Sequence, residues 1–129
     1  MRERWFAFLL THPMGATLYL RDHFPRVRFH IEKRLIRGNT MHRWIRFDLD
    51  GKTILRARSA VNLQLSNPRV AELLRTTDEP IGAIVKKFRV KRTRLKSTTR
   101  SRSFHFIGDL HARVHERFYH LPKSAIENE

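Results

Sequence analysis

From Val27 to Leu63 apolar and polar residues alternate with a period of two, the signature of strands that bury one face. Val27, Phe29 and Ile31 alternate with Arg28, His30 and Glu32. After a Gly38-Asn39 turn, Met41, Arg43, Ile45, Phe47 and Leu49 fall on one face, with His42, Trp44, Arg46 and Asp48 on the other. Asp50-Gly51 is a two-residue hairpin signal. A third strand follows with Leu55, Ala57, Ser59, Val61 and Leu63 on one side and Arg56 and Arg58 on the other. Three strands joined by tight turns must pair antiparallel, because parallel strands need a long crossover.

Shorter helical patterns flank this ribbon. Residues 3–12 bring Trp5, Phe6, Leu9 and Leu10 to one face, and Pro13 should end that helix because the residue before proline avoids the α region. A second helix is expected over Ala16 to Asp22, with Met14-Gly15 as the turn between them. Ser66-Asn67-Pro68 is a cap followed by a first-turn proline, and Asp78-Glu79-Pro80 should break the helix it opens. Ile81 to Phe88 carries a further apolar helical face. Strands are expected at about 90–98, 103–107 and 110–119, the last after a Gly108-Asp109 turn. The reading is an α+β domain: a single antiparallel β-sheet with short flanking helices, spanning 1–122, with 123–129 a loose C-terminal tail.

A chain of 129 residues with 40% hydrophobic residues and nine Phe has enough for one core and not for two. It holds no cysteine, so disulfides and thiolate chemistry are excluded, in keeping with a reducing cytoplasm. The longest apolar run, Trp5 to Leu10, falls far short of the roughly 20 residues that cross a bilayer, and no small-residue cleavage site follows it. A cytoplasmic protein without membrane insertion is expected. The net charge of +15 then asks for an anionic partner, either a polyanion or a small dianion.

Four short islands give that dianion a candidate identity. They are Met14, Trp44-Ile45-Arg46, Glu79-Pro80-Ile81-Gly82 and Glu116 ahead of Phe118, Leu121 and Pro122. In this order they resemble chorismate pyruvate-lyase, over most of the chain from Met14 to about Pro122. The resemblance implies the chorismate lyase-like fold and a cofactor-free elimination of pyruvate from chorismate to give 4-hydroxybenzoate. It implies that Arg46 binds ligand oxygens through its planar fork, and that Met14 and Ile81 offer backbone and packing contacts. It further implies that Glu116 meets the ring 4-hydroxyl and moves the proton. Arg46 and Glu116 are thus the expected catalytic pair; Met14, Arg46, Ile81 and Glu116 form the expected substrate site, with no cofactor and no metal. Chemically the set is apt, since holding a dianion and managing one proton requires a guanidinium, backbone donors, a carboxylate and an apolar pocket.

Each residue also has a plainer reading. Arg46 alone would be a solvated strand cation, Met14 core filler, Ile81 a helix-start core residue and Glu116 half of a structural ion pair. His111 and His115 share a strand face with His105 nearby, but solvent-facing histidines are the expectation there rather than a metal site. The run Lys86 to Arg102 holds nine cations and no acid, so nonspecific nucleic acid binding along an extended basic ribbon is the competing function. Another alternative is a non-catalytic small-molecule-binding module of the same fold, which normally accompanies a helix-turn-helix not found in this sequence.

Overall fold

The computed structural model describes residues 4–127, so the expectations for residues 3, 128 and 129 lie outside the described residues. Six strands form one wholly antiparallel sheet: β1 (Arg28–Arg37), β2 (Thr40–Leu49), β3 (Lys52–Asn62), β4 (Val90–Ser97), β5 (Ser101–Gly108) and β6 (Ala112–Phe118). Their order across the sheet is β1-β2-β3-β6-β5-β4. The chain thus makes two three-stranded meanders that meet along β3 and β6. The helices are α1 (Ala7–Thr11), α2 (Ala16–His23), α3 (Pro68–Thr76), α4 (Ile81–Val85) and α5 (Lys123–Glu127). The architecture is α+β, and no described helix is long and apolar enough to cross a membrane.

Local chemistry accounts for the boundaries. At Asp50-Gly51 both residues take positive φ, 51° and 81°, the mirror-image turn that matches the twist of a hairpin. Asn67 caps α3 by accepting from the Arg69 amide at 2.9 Å, and Pro68 occupies the first turn. Helix α1 stops at Thr11 just before His12-Pro13. Helix α4 ends at Val85 rather than Phe88, and the expected loose tail forms α5, with Ala125 buried in the core.

The two hydrophobic clusters draw on one face of the sheet. One packs Trp5, Phe6, Leu9 and Leu20 of the N-terminal segment on Phe47, Leu55 and Phe118. Phe6 stacks on Phe118 at 5.0 Å while Trp5 meets it edge-on at 5.6 Å. The other packs Val70 and Leu74 of α3 and Ile84 of α4 on Met41, Val61, Phe104, Phe106 and Val114. Between them the helices leave a gap over the middle of the sheet. Gly108 closes the β5 end: its φ is +104°, and a Cβ there would lie 2.3 Å from the Arg89 carbonyl oxygen. Gly38 also has positive φ, +58°, but opens on empty space. Gly108→Ala should therefore cost at least about 2 kcal/mol of stability, against about 1 kcal/mol for Gly38→Ala, as read from urea unfolding midpoints. Equal costs would show that the β5–β6 turn yields without strain.

Candidate functional site

Where the two clusters part, the inward face of the sheet carries charge. Alternation along β2 turns Arg43 inward between Met41 and Ile45, and Arg43 is 1% exposed. On β6, Ala112, Val114, Glu116 and Phe118 are all buried, with Glu116 at 8% exposure. Its pairing with β3 and β5 runs without a register shift, Glu116 standing opposite Ala57 on one side and Arg102 on the other. Arg102 is also inward, with Phe104 and Phe106. Arg92 reaches the same space from β4, where the pairing slips between Thr93 and Lys96 and Arg94 takes a φ of +56°. That bulge lets both Arg92 and Leu95 turn toward the core, which strict alternation would forbid.

These residues border a cavity between the sheet and the helices. Its floor is Arg43, Ile45, Ala57, Ser59, Val114 and Glu116; its sides are Phe29, Phe47, Arg92, Phe104 and Phe106. Ala16 and Thr17 of α2 and Pro80, Ile81 and Gly82 at the start of α4 form the roof. The cavity volume is about 50 Å³. One water needs roughly 10–15 Å³ of it, so the cavity as it stands takes a few waters. The roof helices touch where Gly82 leaves no room for a side chain: a Cβ there would sit 3.0 Å from Thr17.

Two guanidiniums, Arg43 and Arg92, border this space with one carboxylate, Glu116, and Arg102 is bonded to Glu116. Arg102 is satisfied: Nε donates to Glu116 Oε1 at 2.5 Å, Nη1 to the Leu9 and His12 carbonyls at 2.9 and 3.1 Å, and Nη2 to the Met14 carbonyl at 2.8 Å. Arg43 is not: among the described residues only its Nη2 finds a partner, the Glu79 carbonyl at 2.8 Å, and its buried Nε has none. Arg92 makes no side-chain hydrogen bond among the described residues, and its Nε is buried too. It rests over Phe106 at 4.7 Å and Phe104 at 5.5 Å, a cation–π contact that offsets part of its lost hydration.

Burial lowers the Arg43 pKa to about 10, with Arg34 pushing the same way and Asp78 opposing. Burial also lowers that of Arg92, where Glu116 opposes and Arg102 adds to the fall. A base whose pKa falls on folding subtracts stability wherever it stays protonated. The Arg43 cost is therefore present at neutral pH and fades only as pH rises through about 10. Buried charged donors without acceptors are expensive, and an anion entering the cavity would supply the missing acceptors.

The expected site residues are placed as follows. Glu116 and Ile81 border the cavity. Met14 is not among the lining residues: its carbonyl is held by Arg102 and its side chain packs on the first hydrophobic cluster. Arg46 is not brought in. It lies on the opposite face of the sheet, donating from Nε to Asp48 Oδ2 at 3.0 Å with Glu32 at 3.6 Å, and the Asp48 hydrogen bond raises its pKa. The guanidiniums that border the cavity are instead Arg43 and Arg92, neither of which was singled out from sequence as a ligand residue for the small dianion. A signal for Arg43 was present, an arginine at an inward position in an otherwise apolar row. Among the described residues, no group of three or more His, Cys, Asp or Glu is placed to hold a metal ion.

No protein-family model matches this chain, and no curated protein matches it.

The charge imbalance makes a direct prediction. Arg92→Met keeps length and apolar bulk while removing a half-buried charge that has no hydrogen bond or ion pair among the described residues, so it should raise the stability of the ligand-free protein by about 1 kcal/mol. In the same protein, affinity for small aromatic carboxylates should fall at least tenfold. Loss of stability in urea unfolding would show that Arg92 is structural.

Proposed function

We propose that this cavity binds a small ring dianion of the chorismate type and that the chain is a chorismate pyruvate-lyase-like enzyme of chorismate lyase-like fold. The observation that carries the reading is a pair of guanidiniums, buried Arg43 and half-buried Arg92, each with a buried Nε that has no partner among the described residues, bordering one cavity with Glu116 and phenylalanine walls. Two cations suit two carboxylates, and aromatic walls suit a planar ring. In this reading Ile81 and Glu116, which border the cavity, keep the parts the resemblance implies, and Arg43 takes the part first expected of Arg46.

In the proposed reaction the proton at ring C4 leaves and its electron pair forms the new ring double bond. The C3–O bond breaks with its pair going to the enolpyruvyl oxygen, and the enolate gains a proton at carbon to become pyruvate. The gain of aromaticity drives the step, so the protein has to orient the dianion, exclude water and handle one proton. Arg102 occupies one oxygen of Glu116, and Oε2 makes no hydrogen bond among the described residues, which leaves it free to meet the ring hydroxyl or the moving proton. A substrate larger than a few waters enters by drawing α2 and α4 apart at their Thr17–Gly82 joint.

A second reading rests on the same ion pair. If the tie to Arg102 is the whole duty of Glu116, the cavity binds ring carboxylates without turnover. Incubating the protein with chorismate and following pyruvate and 4-hydroxybenzoate separates the two. Under the enzyme reading, Glu116→Gln keeps 4-hydroxybenzoate affinity within roughly tenfold and lowers turnover at least ~100-fold. Arg43→Ala weakens 4-hydroxybenzoate binding by at least about tenfold, for the loss of a charge-assisted hydrogen bond, while Arg46→Ala leaves it unchanged. Binding without product supports the second reading. Neither binding nor product overturns both.

A further inference from the structure

Among the described residues no helix packs on the far face of the sheet, which has a groove of its own. Strand pairing lines up its outward residues in rows across the strands. One row runs Lys33, Trp44, Arg58, His115 and Ser103; the next runs Leu35, His42, Ala60, Arg113 and His105. Both rows border one open depression of about 710 Å³, which no acidic residue lines. A third row, with His30, Arg46 and Arg56, is different, because Glu32 and Asp48 neutralise it at 3.0–3.6 Å. Its acids stop short of the groove. Among the described residues, Lys33, Arg58 and Arg113 have no ion-pair partner, and Lys33 Nζ instead stands 5.3 Å from the Trp44 ring centre. Trp44 is half-buried, with the His42 ring near-parallel at 5.8 Å.

We propose that this groove binds single-stranded nucleic acid, with phosphates on Lys33, Arg58 and Arg113 and a base face on Trp44. The charge is complementary to a polyanion, and a central ring flanked by cations is what a chain of bases and phosphates requires. A duplex presents no free base face to Trp44. A planar bilayer would reach only the rim of a concave groove. An acidic peptide would satisfy the cations and leave Trp44 without a role. Neighbouring strands are about 4.8 Å apart, so the span from Lys33 on β1 to His105 on β5 crosses four such intervals and holds a few nucleotides. The groove lies on the side of the sheet away from the cavity, and its function stands or falls separately from the lyase reading.

The test uses the full chain and fluorescein-labelled 12-mers of uridine and of thymidine, with a mixed-sequence duplex as comparison, read by anisotropy across a salt series. Trp44→Ala should weaken single-strand binding about tenfold with the salt slope unchanged, since it removes stacking and no charge. The double change Arg58→Gln and Arg113→Gln should flatten the slope by roughly 0.7 for each phosphate that is no longer neutralised. A charge-matched control, Lys52→Gln with Lys123→Gln, lies on exposed residues outside both the groove and the Lys86–Arg102 run and should leave affinity within about twofold. Circular dichroism and urea unfolding check that each variant is folded. Equal losses in groove and control variants would reduce the effect to net charge and overturn the proposal. So would duplex binding as tight as single-strand binding with Trp44→Ala silent, or Trp44-dependent binding confined to anionic vesicles.

Discussion

The architecture hangs on the guanidinium of Arg102. A cation that is 1% exposed would cost several kcal/mol if unpaired, and the chain meets that cost with four bonds. One goes to Glu116 within the sheet; three go to carbonyls between Leu9 and Met14. A residue on β5 therefore dictates where the N-terminal segment must lie. Once that segment is pinned, α2 starts at Ala16, Thr17 meets Gly82, and α4 is carried over the middle of the sheet. The same side chain that spans sheet and roof also fixes one oxygen of the carboxylate beneath it.

Against that satisfied cation, Arg43 and Arg92 stand out as investments the fold does not recover on its own. Their Nε groups are buried without partners, and burial depresses both their pKa values. Where a protein retains such groups, the local rules of packing are being broken at a place where a ligand can mend them. The far face obeys a different logic. Its cations are hydrated, so they cost the fold little, and their pattern matters through what they attract rather than through what they hold.

Much of this was legible in the chain, and the illegible part has physical causes. Alternation from Val27 to Leu63 and the two turns at Gly38-Asn39 and Asp50-Gly51 specified the first meander, because burying one face and closing tight turns are local demands. The face that Glu116 takes was not legible in this way, because a one-residue slip moves a side chain to the other side of a strand, and only the unshifted pairing with β3 and β5 settles it. Arg43 already stood in the apolar row of β2, but one arginine at an inward position does not reveal whether its head reaches a partner or a cavity. Arg92 was harder. Its inward turn depends on a bulge at Arg94, a non-glycine residue at positive φ, and nothing in the local sequence marks that. The Lys86–Arg102 run read as one basic ribbon, yet pairing divides it: Arg92 and Arg102 go to the interior, while Lys86, Lys87, Lys91 and Lys96 face solvent. Long-range pairing partners decide such matters, and they cannot be read from neighbours in sequence.

The meeting of β3 with β6 has a kinetic side. Each meander closes through short loops, whereas this seam joins residues from distant parts of the chain, Leu55 to Phe118 and Val61 to Ala112. Loop closure over such a separation is the slow entropic step in assembling a sheet. Arg43 belongs to one meander, Arg92 and Glu116 to the other, so neither half holds a usable pocket by itself. The binding site comes into being only as the last strands zip together, and an occupant would act as a latch on the whole molecule, drawing the population away from half-assembled forms.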